Sequence, residues 1–184
     1  MPIDREKVKE ATLALIKAVG EDPNREGLRD TPTRIAASYE ELLKGYSLDP
    51  KTILKVGFNE SSGIVVEKNI DFYSMCEHHL LPFYGHAHIG YLPAGHVVGV
   101  SKLARIVECY SRRLQLQERM TKQIADAIDQ IVKPLGVIVV TDATHLCMEI
   151  RGAKNKANVV VSELRGNFKN VESREEFFDL LQGT

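Results

Sequence analysis

The sequence predicts an α+β fold: an antiparallel β-β-α-α-β-β sheet with helices on one face, preceded by an N-terminal helical pair. Three observations predict it. Apolar residues recur at helical spacing from the start of the chain to about residue 44. From Ile64 the texture changes to β-branched and aromatic runs. Two further runs of that kind follow a long helical stretch, so helices and strands are grouped rather than strictly alternating.

The elements follow in order. Residues 4–19 read as an amphipathic helix, with Val8, Ala11, Leu15 and Val19 at helical spacing, Leu13 and Ile16 beside them, and Gly20 as its stop. After a polar loop, Thr31 as cap and Pro32 at the first helical position start a second helix. It runs to about Lys44, with Ile35, Leu42 and Leu43 inward and Gly45 as its stop. Asp49-Pro50 opens a short turn or helix to about Leu54. The runs IVVEKNIDFYSM and FYGHAHIGYL read as two strands, and residues 97–100 as a short third. Ser101 is the expected cap of a helix to about Arg112, and a longer helix spans about Gln115 to Val132. Residues 136–150 and 156–164 read as strands joined by a hairpin, and a helix from Ser173 to Leu181 closes the chain.

The chain has 184 residues, 24 Lys plus Arg against 25 Asp plus Glu, and a net charge of −1. That length fits one domain with a real core. The balance excludes a general nucleic-acid binder, so an anion site must be a local cluster of cations. Three cysteines are too few for a secreted disulfide scaffold. No apolar run is long enough to span a membrane, and the first residues lack a signal core. A reduced, soluble cytoplasmic protein is the expectation.

The informative run is Ser74-Met75-Cys76-Glu77-His78-His79. Cys76 and His79 are three apart, a spacing that lets thiolate and imidazole reach one ion from a tight turn. His145-Leu146-Cys147 lies far downstream, on a predicted strand where residues two apart share a face. Thiolate with imidazole selects zinc among common ions. There are enough groups for a closed four-ligand site or an open three-ligand one. Cys76, His79 and Cys147 would make the open site, leaving His78 and His145 for proton transfer. Cys-x-x-His alone is a weak signal; the second pair strengthens it. Cys109, beside Val107 and Tyr110 on a helix, reads as a small buried hydrophobe, and His86, His88 and His96 as surface or packing residues.

Four stretches together carry a resemblance: Cys76-Glu77-His78-His79, then Gly99-Val100-Ser101-Lys102-Leu103-Ala104-Arg105, then Gln115-Leu116-Gln117-Glu118-Arg119-Met120-Thr121, then His145-Leu146-Cys147-Met148-Glu149-Ile150-Arg151-Gly152. In order and spacing they resemble GTP cyclohydrolase I, and Asp30-Thr31-Pro32-Thr33-Arg34-Ile35-Ala36 is similar to that family's N-terminal helical motif. The resemblance covers essentially the whole chain. It implies the tunnelling fold in a single domain, with a helical part to about residue 55 and a catalytic part from about 56 to 184. It also implies hydrolysis of GTP to 7,8-dihydroneopterin triphosphate and formate, the entry step to folate or biopterin. Subunits would form a homodecamer of two pentameric rings, with sites at subunit interfaces.

Role by role, the resemblance puts zinc ligands at Cys76, His79 and Cys147 and catalytic histidines at His78 and His145. Guanine recognition falls on Gln117 and Glu118, and triphosphate contacts on Ser101, Lys102, Arg105 and Arg151. Arg34 would reach in from a neighbouring subunit. The chemistry agrees: zinc lowers the pKa of water toward about 7, and a histidine suits protonation of a purine nitrogen. One carboxylate at Glu118 accepts both guanine N1–H and the exocyclic amine, a donor pair that adenine lacks. Ala37 and Glu149 stand where some relatives carry Lys, which bears on the phosphate site alone. Two other readings are a noncatalytic zinc-stabilised nucleotide-binding oligomer and another tunnelling-fold enzyme acting on a pterin or purine. Formate release from GTP separates the first of these from the hydrolase, and the choice of substrate separates the second.

Overall fold

The structure is a computed structural model and describes residues 3–55, 57–60 and 62–183. Its first helix, α1 (Arg5–Ala18), starts where the Asp4 carboxylate accepts the Lys7 backbone N–H at 3.1 Å. The second, α2 (Thr31–Leu42), has Pro32 in its first turn, where a missing N–H costs nothing. Its cap position is Asp30, one residue before the expected Thr31. The two helices pack against each other. Of α1 only Ile16 is buried; Leu15 and Val19 are 64% and 67% exposed, so much of the apolar stripe has no cover among the described residues.

Gly45 does not stop α2, which ends three residues earlier at Leu42. It is a close-approach glycine: a Cβ there would lie 2.4 Å from the Cys109 carbonyl oxygen. Its N–H donates to the Arg112 carbonyl at 3.0 Å, tying the helical pair to the rest of the fold. In α3 (Pro50–Leu54) the Asp49 carboxylate caps the N–H groups of Lys51 and Thr52. The expected boundary between helical and catalytic parts falls at Val56, outside the described residues.

The remaining elements are β1 (Gly57–Phe58), β2 (Val65–Cys76), β3 (Pro82–Leu92), β4 (Val97–Val98), α4 (Ser101–Ser111), β5 (Leu114–Gln115), α5 (Gln117–Val132), β6 (Gly136–His145), α6 (Leu146–Glu149), β7 (Asn158–Gly166) and α7 (Val171–Gln182). Five strands form one sheet in the order β5-β2-β3-β6-β7. Its long strands are antiparallel, but β5 pairs with β2 in parallel, so the sheet is mixed rather than purely antiparallel. A separate ladder pairs β1 with β4.

One sheet face packs under α4 and α5. Phe72, Phe83, Ile89, Val137 and Val139 meet Leu103, Ile106, Ile124 and Ile128 there. The alternate residues of β6, Ile138 and Val140, point to the other face and meet Phe168 and Phe177. Phe177 belongs to α7, so the expectation of helices on one face is corrected: α7 covers part of the second face. This double burial is why β6 reads as an unbroken apolar run, Val137 to Val140, instead of an alternation. Phe177 is fully buried, so Phe177→Ala is expected to cost about 3–5 kcal/mol, read as a lower denaturation midpoint. No helix among the described residues is long and apolar enough to cross a membrane.

Two expected boundaries move. The strand expected over 136–150 stops at His145, and the chain turns into α6. Ser101 is the first residue of α4 rather than its cap, which is Val100, and no side chain caps that end.

Candidate metal centre and nucleotide site

Cys76 is the last residue of β2, and Glu77, His78 and His79 form the turn that follows. The Leu80 N–H closes the turn on the Cys76 carbonyl at 2.9 Å, with Leu80 at φ 53°. The Cys76 N–H donates across to the Leu81 carbonyl at 2.9 Å. A sharp turn, not an extended segment, therefore separates the two histidine rings, whose planes stand at 84°. Cys147 arrives on α6, immediately after β6. It does not share a strand face with His145, as expected from a continuous strand; the helical turn instead carries its sulfur toward the β2 turn.

The result is a three-donor cluster. One ligand atom each from Cys76, His79 and Cys147 lies within 4.8 Å of the others. Cys76 Sγ and His79 Nδ1 are 3.7 Å apart. A tetrahedral zinc ion with ordinary Zn–S and Zn–N bonds would separate sulfur and nitrogen by roughly 3.5 Å, so this edge fits. Cys76 is buried, Cys147 half-buried and His79 exposed, so the cluster opens to one side. Burial, and then the neighbouring Cys76, push the Cys147 thiol above its usual range.

His145 closes β6 beside this cluster. Its ring stacks on fully buried Phe83 at 4.7 Å and an interplanar angle of 2°. Its Nε2 faces Gln117 Oε1 at 2.8 Å. Burial holds its imidazolium below the usual range, and the Glu118 charge partly opposes that. His78 is exposed on the turn.

The two residues expected to read guanine part company at the start of α5. Glu118 is exposed, whereas Gln117 is 1% exposed with its side chain turned inward. Ser101, Lys102 and Arg105 stand at the start of α4, with Lys102 and Arg105 three apart. The Lys102 N–H is already bonded to the Gly99 carbonyl at 2.8 Å and the Leu103 N–H to the Val100 carbonyl at 3.3 Å, so that helix end has two donors fewer to offer than expected. Arg151 follows α6, with Nη1 3.5 Å from the Cys147 carbonyl. Arg34 lies on α2 beside Asp30 at 3.7 Å. Among the described residues no hydrogen bond or ion pair joins these three cationic places. Glu149 pairs with Lys156 at 3.7 Å, and Ala37 is exposed.

Other contacts at the site were not legible in the sequence. Arg119 on α5 grips Glu77 with both guanidinium arms, Nη2 to Oε1 at 3.0 Å and Nη1 to Oε2, which ties the turn between Cys76 and His79 to the helix carrying Glu118. That ion pair holds the Glu77 carboxyl below its usual range. Phe83, Thr141 and Val159 position His145 and Gln117. Cys109 is fully buried, with burial raising its thiol, as a packed hydrophobe would be. His88 and His86 contact Asp142 and Asp71, each at 3.3 Å, and His96 contacts Asn59 at 3.4 Å.

The sequence profile of the family described as GTP cyclohydrolase I matches residues 8–182. The chain is 51% identical over 183 residues to GTP cyclohydrolase 1 of Hyperthermus butylicus, covering 99% of this chain and 93% of that protein. It is 49% identical over 185 residues to GTP cyclohydrolase 1 of Halalkalibacterium halodurans, covering 98% of each. Among solved structures it is similar to an archaeosine synthase QueF-Like in the apo form, with a TM-score of 0.50 and 19% identity. That match covers 59% of this chain and 98% of the other and bears on the fold alone. The profile spans almost the whole chain and the relatives match it end to end, so this chain belongs to the GTP cyclohydrolase I family.

Proposed function

We propose that this chain hydrolyses GTP to 7,8-dihydroneopterin triphosphate and formate, the entry step to folate or biopterin, with zinc held by Cys76, His79 and Cys147. The observation that carries the reading is the convergence of two sulfurs and an imidazole from segments far apart in sequence, beside a second, firmly oriented histidine. Zinc bound there would acidify water and so supply a nucleophile at neutral pH. The chain's own groups do the rest. His78 and His145 move protons as the imidazole ring of guanine opens and the pterin ring closes. Glu118, exposed at the start of α5, accepts both guanine donors.

The triphosphate carries about four negative charges, and charge-assisted bonds from Ser101, Lys102, Arg105, Arg151 and Arg34 offset them. These groups come from three segments of the chain: α2, the start of α4 and the residues after α6. The reading includes an assembly in which neighbouring subunits complete each site: the homodecamer of two pentameric rings. The uncovered apolar stripe of α1 supports the same reading. The single-domain tunnelling fold is proposed with it.

Guanine selectivity is the sharpest test. Glu118→Gln removes a charged acceptor and is expected to raise KM for GTP about 10- to 100-fold, with an unchanged melting midpoint. Formate release is measured with GTP and with ATP. The wild type should release it from GTP alone; equal release from ATP would contradict the assignment of Glu118.

A further inference from the structure

Both hydrogens of the Gln117 side-chain amide are engaged. Its Nε2 carries two hydrogens and faces the Val159 carbonyl at 2.9 Å, the Thr141 carbonyl at 3.2 Å and Thr141 Oγ1 at 3.1 Å. Turning the amide over would press its oxygen against two carbonyl oxygens, so the orientation is fixed. A hydroxyl chain supports it: Thr121 Oγ1 donates to the Gln117 carbonyl at 2.7 Å and meets Thr141 Oγ1 at 2.8 Å. The oxygen Oε1 is therefore held toward His145 Nε2 at 2.8 Å. An amide oxygen only accepts, so Nε2 must carry the hydrogen, whichever charge state the ring is in. Phe83, stacked on the ring, keeps its plane. The other ring nitrogen, Nδ1, has no partner among the described residues.

We propose that Gln117 is a positioning residue: it fixes a hydrogen on His145 Nε2, so that Nδ1 is the nitrogen that exchanges protons with the substrate. This rests on the reading of His145 as a catalytic residue. It also moves the Gln117 side chain from guanine recognition to support of the histidine.

The test is a double-mutant cycle on the zinc-loaded protein, with kcat, KM for GTP and zinc per chain measured for each variant. Gln117→Met should lower kcat about 10- to 100-fold with KM little changed and zinc retained. In the His145→Ala background the same substitution should change kcat less than about twofold, because the residue it acts through is gone. Equal losses in both backgrounds would overturn the proposal. So would a raised KM with unchanged kcat, which would return the side chain to guanine binding. Gln117→Asn, shorter by one methylene but still an amide, runs the same cycle if the Met variant does not fold. A third measurement needs no variant at Gln117. The ¹⁵N spectrum of histidine-labelled wild type, with His145 assigned by its loss in His145→Ala, should place the hydrogen on Nε2; a hydrogen on Nδ1 alone would overturn the proposal. Absence of formate from GTP with wild type would instead defeat the functional reading, while the ¹⁵N result would still decide the tautomer.

Discussion

Cys147→Ala is expected to abolish metal retention and turnover together. Zinc per chain should fall from about one to near zero, because two protein ligands do not hold the ion against chelators. The fold should survive. Cys147 is only half-buried and sits on a four-residue helical turn, so truncation opens little cavity. Metal analysis and circular dichroism on the same sample separate the two effects. A variant that keeps zinc would remove Cys147 from the ligand set.

His145→Ala is expected to do the opposite with respect to the metal. Zinc should stay, since His145 lies outside the three-donor cluster. Turnover should fall about 10²- to 10⁴-fold, the range a positioned proton-transfer group contributes. Phe83 loses its stacked partner and Gln117 its hydrogen-bond donor, so some loss of stability accompanies the change. A His145→Ala protein turning over at the wild-type rate would remove this residue from the mechanism.

These two residues also mark where the sequence was informative and where it was not. The Cys76–His79 spacing is local, and a turn of that length has few shapes, so the pair was readable directly. Cys147 was readable as a partner but not in its setting. The apolar run of β6 continues in pattern past His145, and a four-residue helical turn carries no period of its own. The same limit hid β1 and β5, each two residues long. The direction of the Gln117 side chain depends on carbonyls of Thr141 and Val159 on two other strands, which no local pattern encodes. The apolar run of β6 did hold the sign of burial on both faces, but only the position of α7 gives that sign its meaning. The stripe on α1 shows the converse: the helical pattern is correct, yet Leu15 and Val19 stay exposed.

A metal held by Cys76, His79 and Cys147 is expected to serve GTP hydrolysis in this chain. The most direct measurement incubates the purified, metal-analysed protein with GTP and follows formate and the fluorescence of the oxidised pterin. Both products are expected in step, with their loss on chelation and their return when zinc is restored. Chain that retains about one zinc and yields neither product would contradict it.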